Sequence, residues 1–267
     1  MEAKPVERLA SRHGVLTVEL RGLTFLDLDE ARFVQLVVDE AKAGRGGWVI
    51  TPNADIVRLA DEDASVGAMV RAADALIADG MPLVWASRLR GTPLRARVCG
   101  SDLTLSLPAA AADAGLSVFL LGGVDDTGTE TARILQSRNP ELRVAGVYSP
   151  PFGFEADPAQ FEAMHRLIRE SKPDIVFVAL GFPKGERLIE RLREANPDAW
   201  WLGVGAAFDF IAGRYERAPV WAQRSGLEWL FRMSQDPNRL VDRYLRRDLP
   251  FVARLFLDAL QERFARP

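Results

Sequence analysis

The sequence is most informative first in what it lacks. It has one cysteine, Cys99, so an internal disulfide and a cysteine-built zinc cluster are both excluded, and a reducing compartment is compatible with it. Its two histidines, His13 and His165, stand alone, the latter inside a helical pattern, and both read as surface residues. Long apolar runs are missing too: the uncharged stretches from Leu103 to Ala112 and from Ala199 to Phe208 fall far short of the roughly 20 residues a membrane-spanning helix needs. Glu2, Lys4, Glu7 and Arg8 interrupt the start of the chain, which therefore does not read as a signal peptide. There is no GxGxxG, no internal repeat and no low-complexity segment.

Charge of one sign is also missing overall, since the 267 residues carry a formal net charge of −3. That average hides an asymmetry. From Gly213 onward there are 11 Arg, no Lys and 7 acidic residues, net +4, which leaves −7 on everything before it. An acidic body argues against nucleic acid as a partner, and the basic charge belongs to the tail.

What is present is an alternation of strands and helices. VLTVEL at 15–20 reads as a half-exposed strand, and Asp27 and Asp29 can cap a helix carrying Phe33, Leu36 and Val37. A short strand over 48–51 precedes a helix through Ile56, Val57 and Leu59, capped by Asn53 or Asp55, and a strand over 75–78 ends at Asp79-Gly80. Helices are predicted at 101–114, 127–138, 158–171 and 186–195, and strands at 116–121, 143–147, 174–180 and 199–204. The uninterrupted apolar run at 116–121 is the pattern of a strand buried on both faces. This predicts an α/β fold with a Rossmann-like, mostly parallel sheet and helices on both faces. The pattern changes at Gly213 to helices alone, so the chain divides into an α/β core at 1–212 and a helical, Arg-rich appendage at 213–267. In that appendage Leu240, Val241, Tyr244 and Leu245 fall on one helical face, with Arg239, Arg243, Arg246 and Arg247 on the other.

Strand exits are where ligands collect in parallel sheets, which draws attention to Thr51, Asn53 and Asp79. A carboxylate there can take a proton from a bound hydroxyl, although Asp-Gly is equally a common turn pair, and Thr51 and Asn53 can simply cap a helix. Gly122-Gly123 at a strand end, with Thr127 opening a helix, can bring backbone amides to a phosphate, or can be a tight strand-to-helix turn. A dinucleotide site requires an acidic residue after the next strand; that strand runs into Ser149 and prolines, which points to a mononucleotide rather than NAD. Asp27/Asp29 and Asp61/Asp63 have the spacing of a metal-binding DxD, but capping and solvation explain them better, and no metal or other cofactor is expected. Trp221, Trp229, Phe231 and Tyr244 interleave with the tail arginines, which fits either a packed helical hairpin or an interfacial surface for anionic lipid or a pyrophosphate.

TPNADIV at 51–57, ADG at 78–80, RVCGSDL at 97–103, FLLGG at 119–123, LGFPKGE at 180–186, GVGAAFDFIAG at 203–213 and RAPVWAQRSGLEWLFRMSQDPNRLVDRYL at 217–245 together resemble the WecG/TagA/CpsF family of bacterial glycosyltransferases. The resemblance implies an inverting, metal-independent transfer of a sugar, N-acetylmannosamine-like, glucose or a uronic acid, from a UDP-sugar to a polyprenyl-diphosphate-linked saccharide in surface polysaccharide or teichoic acid synthesis. It implies Asp79 as general base and Thr51 as a catalytic threonine. Asn53, Arg97, Gly122, Gly123, Pro183 and Glu186 would bind substrate, and Arg214, Arg217, Arg224, Arg232, Arg239 and Arg243 would meet the acceptor and the membrane. The protein is accordingly expected at the cytoplasmic face of the membrane, peripherally held on its anionic surface, and as a homo-oligomer. One departure stands out: where the family motif has Gln, this chain has Gly185, which leaves a UDP-sugar-binding or scaffolding subunit as the alternative.

Overall fold

The computed structural model describes residues 4–219, 221–222 and 226–265, with the side chains of residues 238 and 239 left out of the description. The chain folds into two compact units that are not consecutive in sequence: Met1–Asp29, Thr51–Cys99 and Glu216–Pro267 form the first, and Glu30–Ile50 with Gly100–Tyr215 the second.

In the first unit, α1 (Pro5–His13) leads to the antiparallel hairpin of β1 (Thr17–Leu20) and β2 (Leu23–Leu26), turned by Arg21 and Gly22, both at positive φ. Neither α1 nor β2 is foreseen from sequence. Arg-Gly is a weaker turn signal than Asn-Gly or Asp-Gly, and LTFL is buried throughout, so it shows no alternation. Then come α3 (Ala54–Glu62), α4 (Ala64–Arg71), the two-residue strand β4 (Ala75–Leu76) and α5 (Met81–Leu89). The C-terminal part of the unit adds α11 (Glu228–Gln235), α12 (Pro237–Val241), a π-helical turn at Asp242–Asp248 and α13 (Leu249–Ala265).

α13 packs on α5 through the buried Leu255 and Ala259. Ion pairs add to this contact: Arg21 reaches both Asp61 and Asp258, and Arg90, which caps the end of α5, pairs with Glu262. The face reading at 239–247 is corrected here. Val241 and Leu245 are exposed, whereas Arg243 faces protein and pairs with Asp55 at 2.9 Å. The wider π turn shifts which positions share a face, so a 3.6-residue period misassigns them.

The second unit contains five parallel strands in the order β3 (Gly47–Ile50), β8 (Trp200–Gly203), β7 (Ile175–Ala179), β5 (Ser117–Gly122) and β6 (Arg143–Tyr148). β5 and β7 are buried at every residue, as their apolar runs require, while β6 at the edge is half-exposed. Around them lie α2 (Glu30–Lys42), α6 (Gly100–Ala114), α7 (Thr127–Arg138), α8 (Pro158–Ser171), α9 (Lys184–Leu192) and α10 (Ala207–Ile211). Trp48, Trp200 and Trp201 are fully buried, yet each indole N–H has a partner: Glu186, the Arg45 carbonyl and the Asn196 carbonyl. The α/β class and the mostly parallel sheet are as the sequence predicts. Following the chain, β6 lies on one side of β5, and β7 and β8 on the other. The direction of winding reverses beside β5, and ligands of open α/β sheets bind outside the strand ends at such a reversal.

Candidate active site

Three loops of the first unit meet beside Asp79. The Asp79 amide donates to the Pro52 carbonyl at 2.9 Å, and the Val98 amide donates to the Ala78 carbonyl at 2.9 Å. The segments around Thr51, Asp79 and Arg97 are thereby laid side by side. Gly80 caps the N-terminus of α5, with Pro82 in the first turn, so Asp79-Gly80 is a strand-to-helix connection. Asn53 caps α3 by accepting from the Ile56 amide at 3.1 Å and also lines the pocket described next, so its structural and its candidate functional position coincide.

A pocket of about 370 Å³ opens there. Asn53, Asp79, Arg97, Glu228, Arg232 and Arg243 are among its polar lining, and Met81, Trp85, Leu249, Val252 and Phe256 among its apolar lining. Every one of these residues belongs to the first unit. Gly226, at φ +70°, also borders it; a Cβ there would come within 2.6 Å of the Trp85 ring, so the backbone can approach α5 this closely only as glycine.

The charges in the pocket are arranged in two groups. Glu228 reaches Arg97 at 2.8 Å with Oε2 and Arg232 at 2.7 Å with Oε1. Next to them, Asp79 accepts a hydrogen bond from the Cys99 thiol. Desolvation raises the Asp79 pKa above the ordinary carboxylate value, against the opposing pull of Arg97 and Arg232. Farther along, Arg58 is 2.5 Å from Asp55 and from Glu62 and 3.3 Å from Asp248, and Arg243 holds Asp55. Burial, with Asp55 close by, pushes Asp248 up to about 6.

The remaining predicted residues are placed as follows. Thr51 is buried and is not among the residues lining the pocket. Arg214 belongs to the second unit and pairs with Asp125 at 3.0 Å at the surface. Arg217 is half-buried. Arg224 and the Arg239 side chain lie outside the described residues.

Gly122, Gly123, Pro183 and Glu186 all sit in the second unit, where the winding reverses. A Cβ on Gly122 would meet the Ala179 carbonyl oxygen at 2.6 Å, and one on Gly123 would meet Thr127 Oγ1 at 2.4 Å. The Gly123 amide already donates to the Ala179 carbonyl at 2.9 Å. Pro183 precedes α9, and Glu186 in its first turn is 4% exposed. The Glu186 carboxyl accepts from Trp48 Nε1 at 2.8 Å, and its other oxygen lies so close to Gly203 that a Cβ there would sit 1.8 Å away. Burial pushes Glu186 up to about 8, so it is mostly protonated at neutral pH. A Cβ on Gly185, by contrast, would meet only ordinary contacts, the nearest at 3.6 Å.

The acidic pairs with metal-like spacing have protein partners: Asp27 accepts from the Arg95 amide, Asp61 pairs with Arg21, and Asp63 caps α4. Among the described residues no group of three His, Cys, Asp or Glu is placed to hold a metal ion.

With this geometry in view, the comparisons with known proteins are decisive for the family. The model of the WecG/TagA/CpsF glycosyl transferase family matches residues 18–265. The chain belongs to this family. It is 34% identical over 224 residues, 84% of this chain and 85% of the relative, to the N-acetylglucosaminyldiphosphoundecaprenol N-acetyl-β-D-mannosaminyltransferase of Bacillus spizizenii. The glycosyltransferase match spans both units, the pocket and α13 included. Sequence reasoning missed Glu228, Trp85 and Asp55 as pocket residues. Glu228 and Asp55 had a signal, their places inside the motifs at 217–245 and 51–57; Trp85 had none.

Proposed function

We propose that the protein transfers a sugar from a UDP-sugar to a saccharide carried on a polyprenyl diphosphate, with inversion at the anomeric carbon and Asp79 as the general base. The observation that carries this reading is a carboxylate of raised pKa beside two arginines, in a pocket that is also lined by apolar side chains. The relative's acceptor, a sugar on diphosphoundecaprenol, needs all three: a base for its hydroxyl, cations for its diphosphate and an apolar wall for its prenyl chain.

The acceptor hydroxyl attacks the donor's anomeric carbon, its proton passes to Asp79, and the bond to the leaving phosphate breaks, with the electron pair departing on UDP. A hydroxyl is a poor nucleophile, and a positioned base typically contributes 10²–10⁴-fold. Guanidiniums stabilise negative charge as it develops on diphosphate oxygens. No step in this scheme requires a metal. Gly122, Gly123 and Pro183 are the donor-side residues under this reading, because of their place at the winding reversal.

Among the described residues no helix is long and apolar enough to cross a membrane. We place the protein peripherally on an anionic membrane surface, where Leu257 and Phe264, 59% and 81% exposed on α13, would insert at the interface. Phosphatidylglycerol vesicles should pellet the wild type and lose a Leu257→Ser/Phe264→Ser variant; equal pelleting refutes this placement.

The test of the transfer itself is mass spectrometry of a short-chain N-acetylglucosaminyl-diphosphate lipid incubated with a panel of UDP-sugars. One added hexose or N-acetylhexosamine residue is expected. UDP binding by calorimetry with no mass gain from any donor contradicts transfer and supports the scaffolding alternative, which Gly185 motivates.

A further inference from the structure

We propose that Glu228 is a positioning residue that bridges Arg97 and Arg232 and so sets how strongly Asp79 binds a proton. The proposal rests on the reading of Asp79 as the base. Two demands conflict in this pocket. The leaving and acceptor diphosphates call for cations, but cations next to a carboxylate hold it ionised and make it a weak base. One carboxylate meets both demands here, because its two oxygens are divided between the two guanidiniums, Oε2 to Arg97 at 2.8 Å and Oε1 to Arg232 at 2.7 Å. The Glu228 side chain is 13% exposed and that of Arg97 is 16% exposed, so solvent screens this pair only weakly, while the Arg232 side chain is 35% exposed.

Among the described residues the charges that act most on Asp79 are Arg97 from the segment after α5 and Arg232 with Glu228 from α11; Cys99 adds a thiol donor, and the neighbouring Met81, Pro82 and Trp85 of α5 carry no charge. Asp55, Arg58, Arg243 and Asp248 form their own paired group. With Glu228 present, the four charges of Asp79, Arg97, Arg232 and Glu228 sum to zero. Without it the group carries a net positive charge, and both guanidiniums lose the anchor that fixes their direction. The lost negative charge lowers the proton affinity of Asp79. The direction agrees with the contribution of Glu228 to Asp79, which is upward, opposite to those of Arg97 and Arg232.

The experiment is a carboxyl-¹³C aspartate NMR titration of the full chain, with the Asp79 resonance identified by its disappearance in Asp79→Asn. Glu228→Gln should lower the Asp79 midpoint by about one pH unit, tenfold in proton affinity, and Glu228→Asp should restore most of it. An unchanged or raised midpoint in Glu228→Gln overturns the proposal. If Glu228→Gln does not fold, the same comparison is made between Arg232→Gln and Arg232→Gln/Glu228→Gln, where the added substitution should again lower the midpoint and no change again overturns the proposal. A residue that served only stability would move the melting temperature and leave this midpoint alone. The titration needs no turnover, so it judges the role of Glu228 even if the chain transfers no sugar. Where transfer is measured, Glu228→Gln should shift the acid limb of kcat/KM to lower pH and reduce its plateau, as expected of a weaker base.

Discussion

Arg97 and Glu228 are 131 residues apart in the chain and 2.8 Å apart in the fold. Their ion pair ties the segment after α5 to α11, so the pocket exists only where the C-terminal segment has folded onto the loops around Asp79. Replacing Arg97 with Met takes one cation from the Glu228 carboxylate in a poorly hydrated site, where Arg232 still pairs with it. A loss of about 1.5–3 kcal/mol in urea unfolding is expected, the scale of a hydrogen bond to a charged group. A loss near zero would mean that the pair is no more than a surface contact.

The second charged group predicts a pH-dependent defect. Arg58 is 7% exposed and holds Asp55, Glu62 and Asp248. Removing one partner of a buried pair typically costs about 3–5 kcal/mol, so Arg58→Met should lose stability on that scale at pH 7.5. Asp248 has a folded pKa of about 6, raised above its unfolded value, so the folded state holds more protons in that interval and the contribution of this group to stability falls as pH rises through it. Without Arg58 the charged form is disfavoured further. The defect should therefore be smaller at pH 5 than at pH 7.5, and the reverse order in thermal unfolding would refute the arrangement.

Glu186 makes the same argument in the second unit with a larger shift. Its folded pKa of about 8 lies above the unfolded carboxylate value, so it is retained as an acid in the fold and costs stability as pH rises from about 4.5 to 8. A Gln keeps an acceptor for Trp48 Nε1 and cannot ionise. Glu186→Gln should gain on the wild type as pH rises, with a slope approaching 1.4 kcal/mol per pH unit below pH 8. A pH-independent difference would show that the carboxyl is not held protonated.

At Gly185 the fold does not enforce glycine. The position is inside the first turn of α9 with room for a Cβ. Gly185→Ala should stabilise the protein by about 0.5–1 kcal/mol, the helix-propensity difference. Gly185→Gln, which supplies the side chain that the resemblance implies there, should fold and should change the preference among UDP-sugars. Identical donor preference would detach this position from donor choice.

The sheet was legible in the sequence because β5, apart from Ser117 at its start, and β7 are runs without polar side chains and are buried at every position, so no face had to be assigned. The helices at 127–138 and 158–171 match their predicted ends residue for residue, with Asp157 capping the second. Legibility failed where structure depends on non-local or non-ideal geometry. The hairpin turn at Arg21-Gly22 has no Asn or Asp to mark it, and the π turn at Asp242–Asp248 defeats a helical wheel. The same holds for the site. Asn53 and Asp79 could be found as polar residues after strands, Arg97 only through the family resemblance, and the structure brings all three to one pocket. Glu228 could not be assigned to them, because nothing local in GLEWLF says which arginines its carboxylate will meet.

The central claim, that this pocket performs base-assisted sugar transfer, is tested most directly by one pair of rates. Transfer from the best UDP-sugar to the short-chain N-acetylglucosaminyl-diphosphate lipid is followed for the wild type and for Asp79→Asn, with calorimetric UDP binding as a check on folding. The account predicts a 10²–10⁴-fold lower kcat for Asp79→Asn with UDP binding retained. Equal kcat for the two proteins would contradict it.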